Sequence, residues 1–250
     1  MKLLSTGNPK LVKGQKLGYL SFVLHLAPST LSGHQTCPRA TVGCIEACLN
    51  TAGRGGIFKT GEKTNAIQTA RIRKTQLFFN NRAEFMAQLV TDIEAGIRQA
   101  AKLGMVPCFR LNGTSDIAWE KIRTATHRSV MAQFPDVQFY DYTKVAGRTV
   151  PGNYHLTFSA AESNHVDVAR ELARGTNVAM VFDVSRGKPM IKAHSGVRVI
   201  DGDDTDLRFL DATGCIVGLR AKGKALQDDS GFVRRVIKIQ AAIAKAGGER

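Results

Sequence analysis

The chain has 250 residues and a mass of 27.1 kDa, enough to bury a sizeable core in one large domain or two small ones. At 43% hydrophobic and 22% charged, it falls outside the disordered, collagen-like and disulfide-stapled classes. The net charge is +14, and residues 1–80 hold 11 bases against two acids, so a polyanionic partner, nucleic acid or a nucleotide, is expected.

Residues 18–26 alternate as a strand, with Tyr19, Ser21, Val23 and His25 on one face and Leu20, Phe22, Leu24 and Leu26 on the other. Both faces are mostly apolar, as in a strand covered on both sides. The run 17–27 follows four lysines and superficially resembles a signal peptide. His25 within it and the lack of a small-x-small cleavage site argue against export. Nothing else approaches the ~20 apolar residues of a membrane span, so no membrane partner is expected.

A long irregular stretch follows, residues 28–56, rich in Gly, Pro, Ser and Thr. Such loops inside compact domains are usually functional. It carries Cys37, Cys44 and Cys48 in a C-x6-C-x3-C spacing. An odd cysteine total of five with three so close does not read as a secreted disulfide framework; metal ligation in a reducing cytoplasm fits better. Close-set thiolates suit an iron–sulfur cluster or zinc. Three Cys on a [4Fe–4S] cluster leave one iron open; a fourth ligand from His34, Cys108 or Cys215 closes the site. Cys108 lies mid-strand and Cys215 opens a strand, so both also read as core. His25 reads either as a buried hydrogen-bonded residue or as support for the metal ligands. The bland alternative is three free buried thiols.

Helices are expected over residues 64–103, broken near Asn80 and Asn81, with Phe85, Leu89, Ile93 and Ile97 repeating every fourth residue and Gly104 as the stop. Strands follow at 106–111, 137–142, 154–159, 178–182, 197–200 and 215–219, with helices at 119–133, 164–173 and 229–246. Alternation of this kind means βα units and a parallel sheet, either open and doubly wound or a full or partial (β/α) barrel. One α/β domain over residues 1–250 is expected. Residues 1–60 would supply the first strand and the cluster-binding loop, 61–104 the helices, and 105–250 the βα repeats and a C-terminal helix. No GxGxxG, GxxxxGK[ST] or GxSxG motif is present, which disfavours dinucleotide, P-loop and α/β-hydrolase chemistry.

Function in parallel α/β proteins gathers past the strand C-termini. Those positions hold Asn112, Gly113, Thr114, Ser115 and Asp116, then Tyr140, Tyr142 and Lys144, then Ser159 and Glu162. Asp116 reads equally as a ligand-amine partner or as a helix cap. Arg71, Arg73, Lys74, Arg234, Arg235 and Lys238 read as solvated helix faces or nucleic-acid contacts. Asp201, Asp203 and Asp204 lack the rest of a calcium loop.

A first strand, a three-Cys loop and a βα series are similar to the radical S-adenosylmethionine superfamily, whose usual spacing, C-x3-C-x2-C, is narrower. The resemblance implies a [4Fe–4S] cluster on Cys37, Cys44 and Cys48. It also implies S-adenosylmethionine positioned by Asn112, Gly113, Thr114, Ser115, Asp116, Ser159 and Glu162. The strings HLAPSTLSGHQTCPRATVGCIEACLNTAGRGG, FRLNGTSDIAWE, YDYTK and HLTFSAAESN resemble a narrower group, the bacteriophage gene product eighty-eight family, over most of residues 5–225. That resemblance implies a protein made in host cytoplasm. The expectation is therefore a radical-SAM-like barrel carrying a cluster and acting on a nucleotide or nucleic acid. The alternative is a non-enzymatic protein, stapled by a cluster or zinc, that grips nucleic acid or a host protein.

Overall fold

The computed structural model describes residues 1–6 and 9–236. β1 (Leu4–Ser5) and α1 (Pro9–Gln15) precede β2 (Tyr19–Leu24), and α2 (Val42–Glu46) lies in the cysteine loop between two short irregular runs. α3 (Ala66–Asn80) and α4 (Arg82–Lys102) lead into β3 (Val106–Arg110). α5 (Val130–Gln133), β4 (Gln138–Thr143), β5 (Tyr154–Ser159) and α6 (His165–Ala173) follow. β6 (Val178–Phe182), β7 (Ala193–His194), β8 (Val197–Asp201), β9 (Ile216–Arg220) and β10 (Val233–Arg234) complete the described chain.

The strands join in the order β1-β2-β3-β4-β5-β6-β9-β8-β7. β2 to β6, β9 and β8 run parallel, and these are the seven strands the sequence predicts. The short β1 and β7 add antiparallel pairs at the two ends. β5 pairs with Val178 and Ala179 of β6, and β10 runs beside Val181 and Phe182 of the same strand.

Side chains alternate across the sheet. Phe22 and Leu24, with Phe109, Phe139 and Phe158 from the neighbouring strands, face the helices and form the apolar core. Phe85, Leu89 and Ile93 repeat on one stripe of α4 and are fully buried against that face. Gly96 permits the close approach: a Cβ there would lie 3.1 Å from the Phe109 ring and 3.2 Å from Phe22. α6 adds Val168 and Leu172 farther along. Ser21, Cys108, Tyr140 and Thr157 occupy the other face, packed beneath the segment around Leu207 and Phe209.

Consecutive parallel strands in chain order place α3, α4 and α6 on one face, as right-handed crossovers require. Of the expected full or partial barrel, the closed form is absent: among the described residues the sheet path ends at β1 and β7 with no pairing between them. The expected helix 119–133 is reduced to a 3-10 turn at Trp119–Lys121 and to α5. Trp119 is fully buried with Nε1 donating to Asn112 Oδ1 (3.1 Å), and the Thr124 amide and hydroxyl both bond His127 O. Such local hydroxyl bonds compete with a helix ladder. The expected helix 229–246 starts instead with β10; residues 237–246, with Lys238, lie outside the described residues. No described helix is long and apolar enough to cross a membrane, and residues 19–24 are a sheet strand paired on both sides, by β1 and β3.

Candidate thiol site at the mouth of the sheet

The cysteine loop leaves the C-terminal end of β2 and is pinned first by Thr36. This residue is fully buried; its Oγ1 donates to Ala27 O (2.7 Å), its amide to Ser29 O (3.1 Å), and its carbonyl accepts the Asp116 amide (2.8 Å). Cys37 Sγ therefore sits between the tips of β2 and β3, accepting from Ser29 N (3.3 Å) and lying 3.8 Å from Thr114 O. Gly113 is required at this junction. Its amide donates to Leu24 O (2.9 Å), and a Cβ would lie 2.7 Å from both that oxygen and the His25 ring.

From there the loop crosses the strand ends. Thr41 caps α2, its Oγ1 accepting from Cys44 N. Glu162, beyond β5, accepts from Thr41 Oγ1 (2.7 Å) and Gly43 N (2.9 Å) and so fastens the turn carrying Cys44. Burial alone would raise the Glu162 carboxyl; the bonds from Thr41, its own amide and Gly43 outweigh it and hold the group below its ordinary range. Cys48 caps the next turn, its Sγ accepting from Asn50 N (3.5 Å), and Arg71 of α3 reaches the Asn50 side chain (2.5 Å).

All three cysteines are free thiols and half-buried. Burial raises the Cys37 thiol and pushes Cys48 up to about 11, while Arg71 pulls Cys48 back in part. The loop carries all three sulfurs, with Cys44 acting electrostatically on Cys37 and Cys48, and Cys37 on Cys48. It does not draw them into one coordination shell: no group of three His, Cys, Asp or Glu among the described residues is placed to hold a metal ion. His34 is outside any such group, its ring stacked on Phe79 at 4.4 Å. Cys108 is buried mid-sheet against Ser21 Oγ (3.0 Å). Cys215 precedes β9 at the opposite end of the strands, its Sγ directed to Ala212 O (3.1 Å). His25 is driven down to about 3, first by burial and then by Arg71, Arg110 and Lys74, so it is neutral near pH 7.

The residues expected to position S-adenosylmethionine are adjacent but already bonded within the chain. Asn112 Oδ1 accepts from Ser115 Oγ, Ile117 N and Trp119 Nε1, and its Nδ2 donates to Ile117 O. Thr114 Oγ1 donates to Leu26 O (2.5 Å) and Ser159 Oγ accepts from Lys144 Nζ (2.7 Å). Asp116 accepts from Lys144 N (2.8 Å) and faces Arg148 (3.5 Å); burial raises its carboxyl even so. It caps no helix. Asp116 and the Arg148–Glu120 pair also line a groove of about 300 Å³ beside Pro38, floored by Phe79, Ile117 and Ile122. Asp201 and Asp203 are spent on Arg220 and Lys222.

Sequence reasoning missed Thr36 as the pin, and took Arg71 for a surface base. The one signal was spacing: Arg71 and Thr75 stand four apart on α3, and Thr75 Oγ1 accepts from Ala27 N (2.8 Å) at the loop's root.

The profile described as Gene product 88 matches residues 2–236. The chain belongs to the Gene product 88 family. The motif strings that carry the bacteriophage resemblance all fall inside the span shared by this family. No curated protein and no solved structure matches the chain.

Proposed function

We propose that this Gene product 88 protein holds a soft-metal centre, a [4Fe–4S] cluster in preference to zinc, through Cys37, Cys44 and Cys48 at the mouth of a partial barrel of the radical-SAM-like kind. The observation that carries the reading is three free, half-buried thiols on one loop fastened across the strand ends by Thr36 and Glu162. The donor set fits soft-metal chemistry. The strand order and one-sided helices support the partial-barrel comparison. A bound cluster would supply one-electron chemistry at an iron; zinc would supply a structural staple.

The chain's own residues then have defined work. Thr36 holds the root of the loop and Glu162 the turn that carries Cys44, Gly113 lets β3 approach, and Arg71 places positive charge beside Cys48. S-adenosylmethionine is not fitted by Asn112, Thr114, Ser115, Asp116, Ser159 and Glu162, whose side chains are engaged internally, and no step is derived through it. Quantifying iron, acid-labile sulfide and zinc after anaerobic reconstitution tests the centre. Stoichiometric iron and sulfide are expected; a chain that holds neither iron nor zinc refutes the reading.

One observation favours the second reading, a nucleic-acid-binding protein with a stapled loop. Arg39, Arg54, Lys59 and Lys63 are exposed around the cysteine loop, among exposed Val42, Ile45, Ile57 and Phe58. A gel shift that weakens steeply with salt is expected under that reading, and no shift at low salt removes it.

A further inference from the structure

The sheet face turned away from the helices carries an unusual chemistry. By register Tyr140 lies beside His155 and Tyr142 beside Thr157, all on the side of Ser21 and Cys108. The 3-10 turn Arg208–Leu210 packs over them, with Phe209 edge-on to Tyr140 at 5.4 Å. Tyr140 and Thr157 are 0% exposed and Arg208 1%.

Beneath that turn, polar atoms lack hydrogen-bond partners among the described residues. They are Thr157 Oγ1, His155 Nε2, Arg110 Nε, and Nε and Nη1 of Arg208. The Tyr140 hydroxyl is not counted with them, because it meets the Ser21 hydroxyl, which can accept from it while bonded to Cys108. Leaving a buried polar group unsatisfied costs roughly 1–3 kcal/mol, so a cluster of them calls for an explanation. Each of these groups can donate, and the guanidinium nitrogens can do nothing else.

The charges nearby are arranged to release one place. Arg110 is held by Asp206 (2.9 Å) and lies over the Tyr142 ring at 4.7 Å. Arg208 faces Asp211 at 3.2 Å, yet neither Arg208 Nη1 nor Asp211 Oδ2 completes a hydrogen bond. That pair has proximity without geometry, and Asp211 stands where an oxyanion would stand. Planar guanidinium edges beside hydroxyl donors match carboxylate and phosphate oxygens.

We propose that this buried face is a binding site for a small oxyanion, a carboxylate or a phosphate. The ligand displaces Asp211 from Arg208 and accepts from Thr157 and His155. The site is built from residues other than the cysteine loop and stands independently of the metal reading.

The test compares melting of the full chain in sodium phosphate, sodium acetate and sodium chloride at matched ionic strength, for the native sequence, Thr157→Val and Tyr140→Phe. A saturable rise in Tm over chloride is expected with phosphate if the ligand is a phosphate, and with acetate if it is a carboxylate. Losing one donor should raise the half-saturating concentration about tenfold in Thr157→Val, and Tyr140→Phe, whose lost hydroxyl faces Ser21, should leave it unchanged. Both substitutions keep side-chain shape, so both variants should fold. A rise that never saturates and is equal in all three proteins is general salting and overturns the site. The absence of any rise with either anion overturns it too.

Discussion

The two faces of one sheet, built from alternate residues of the same strands, differ in how completely their groups are matched. On the helix side Phe22, Phe109, Phe139 and Phe158 meet Phe85, Leu89 and Ile93 with no polar group left to satisfy. On the other side Thr157 and Arg208 are as deeply buried, but carry polar atoms without partners. Burial alone therefore does not mark a stabilising core. One face holds the chain together; the other stores unmet hydrogen bonding.

The largest effect should come from breaking the matched face. Phe85→Ala removes a fully buried ring between α3, α4 and Trp119, and should cost about 3–5 kcal/mol in denaturant unfolding. A loss below about 1 kcal/mol would mean the helix layer is not the main core. The unmatched face should respond in the opposite direction. Thr157→Val keeps volume and deletes an orphaned hydroxyl, and should leave stability unchanged or raise it by about 1 kcal/mol in anion-free buffer. Marked destabilisation would show that the hydroxyl has a partner after all.

The smallest effect sharpens the boundary between the faces. Asp141 is fully buried on the helix side, accepting from Asn112 N (2.7 Å) and Tyr154 Oη (2.8 Å). Burial pushes its carboxyl up to about 7, though Arg110, the Asn112 amide and the Tyr154 hydroxyl oppose this. Unfolded Asp ionises near pH 3.9, so the unfolded chain surrenders this proton first as pH rises. The stability contributed by protonated Asp141 is complete below about pH 4 and is lost as pH climbs through about 7. Asp141→Asn should flatten the fall in Tm across that window. An unchanged slope would place the titration elsewhere.

Much of this architecture was readable before any coordinates. Seven parallel strands and the break at Asn81 follow from apolar period and turn chemistry, which are local properties. The helix expected at 119–133 fails because Trp119 is drawn under Asn112, a tertiary demand that no window of sequence displays. The strand 233–234 is equally unreadable, since two residues borrow their partner from β6. At the cysteine loop the spacing singled out the three sulfurs as candidates and the strand-end pattern named Glu162, but neither showed Thr36 as the pin or Glu162 as the clasp of the Thr41 turn, because those bonds form only when the loop is folded back on the strand tips. The orphaned face was invisible for the same reason: Thr157, His155 and Arg208 come together only when the sheet is laid out.

The central claim is that three particular sulfurs out of five hold a metal. Metal bound per chain, measured in parallel for Cys37→Ser, Cys44→Ser, Cys48→Ser, Cys108→Ser and Cys215→Ser, tests it most directly. The account predicts loss of metal in the first three and full occupancy in the last two. Full occupancy in any of the first three, or loss confined to the last two, contradicts it.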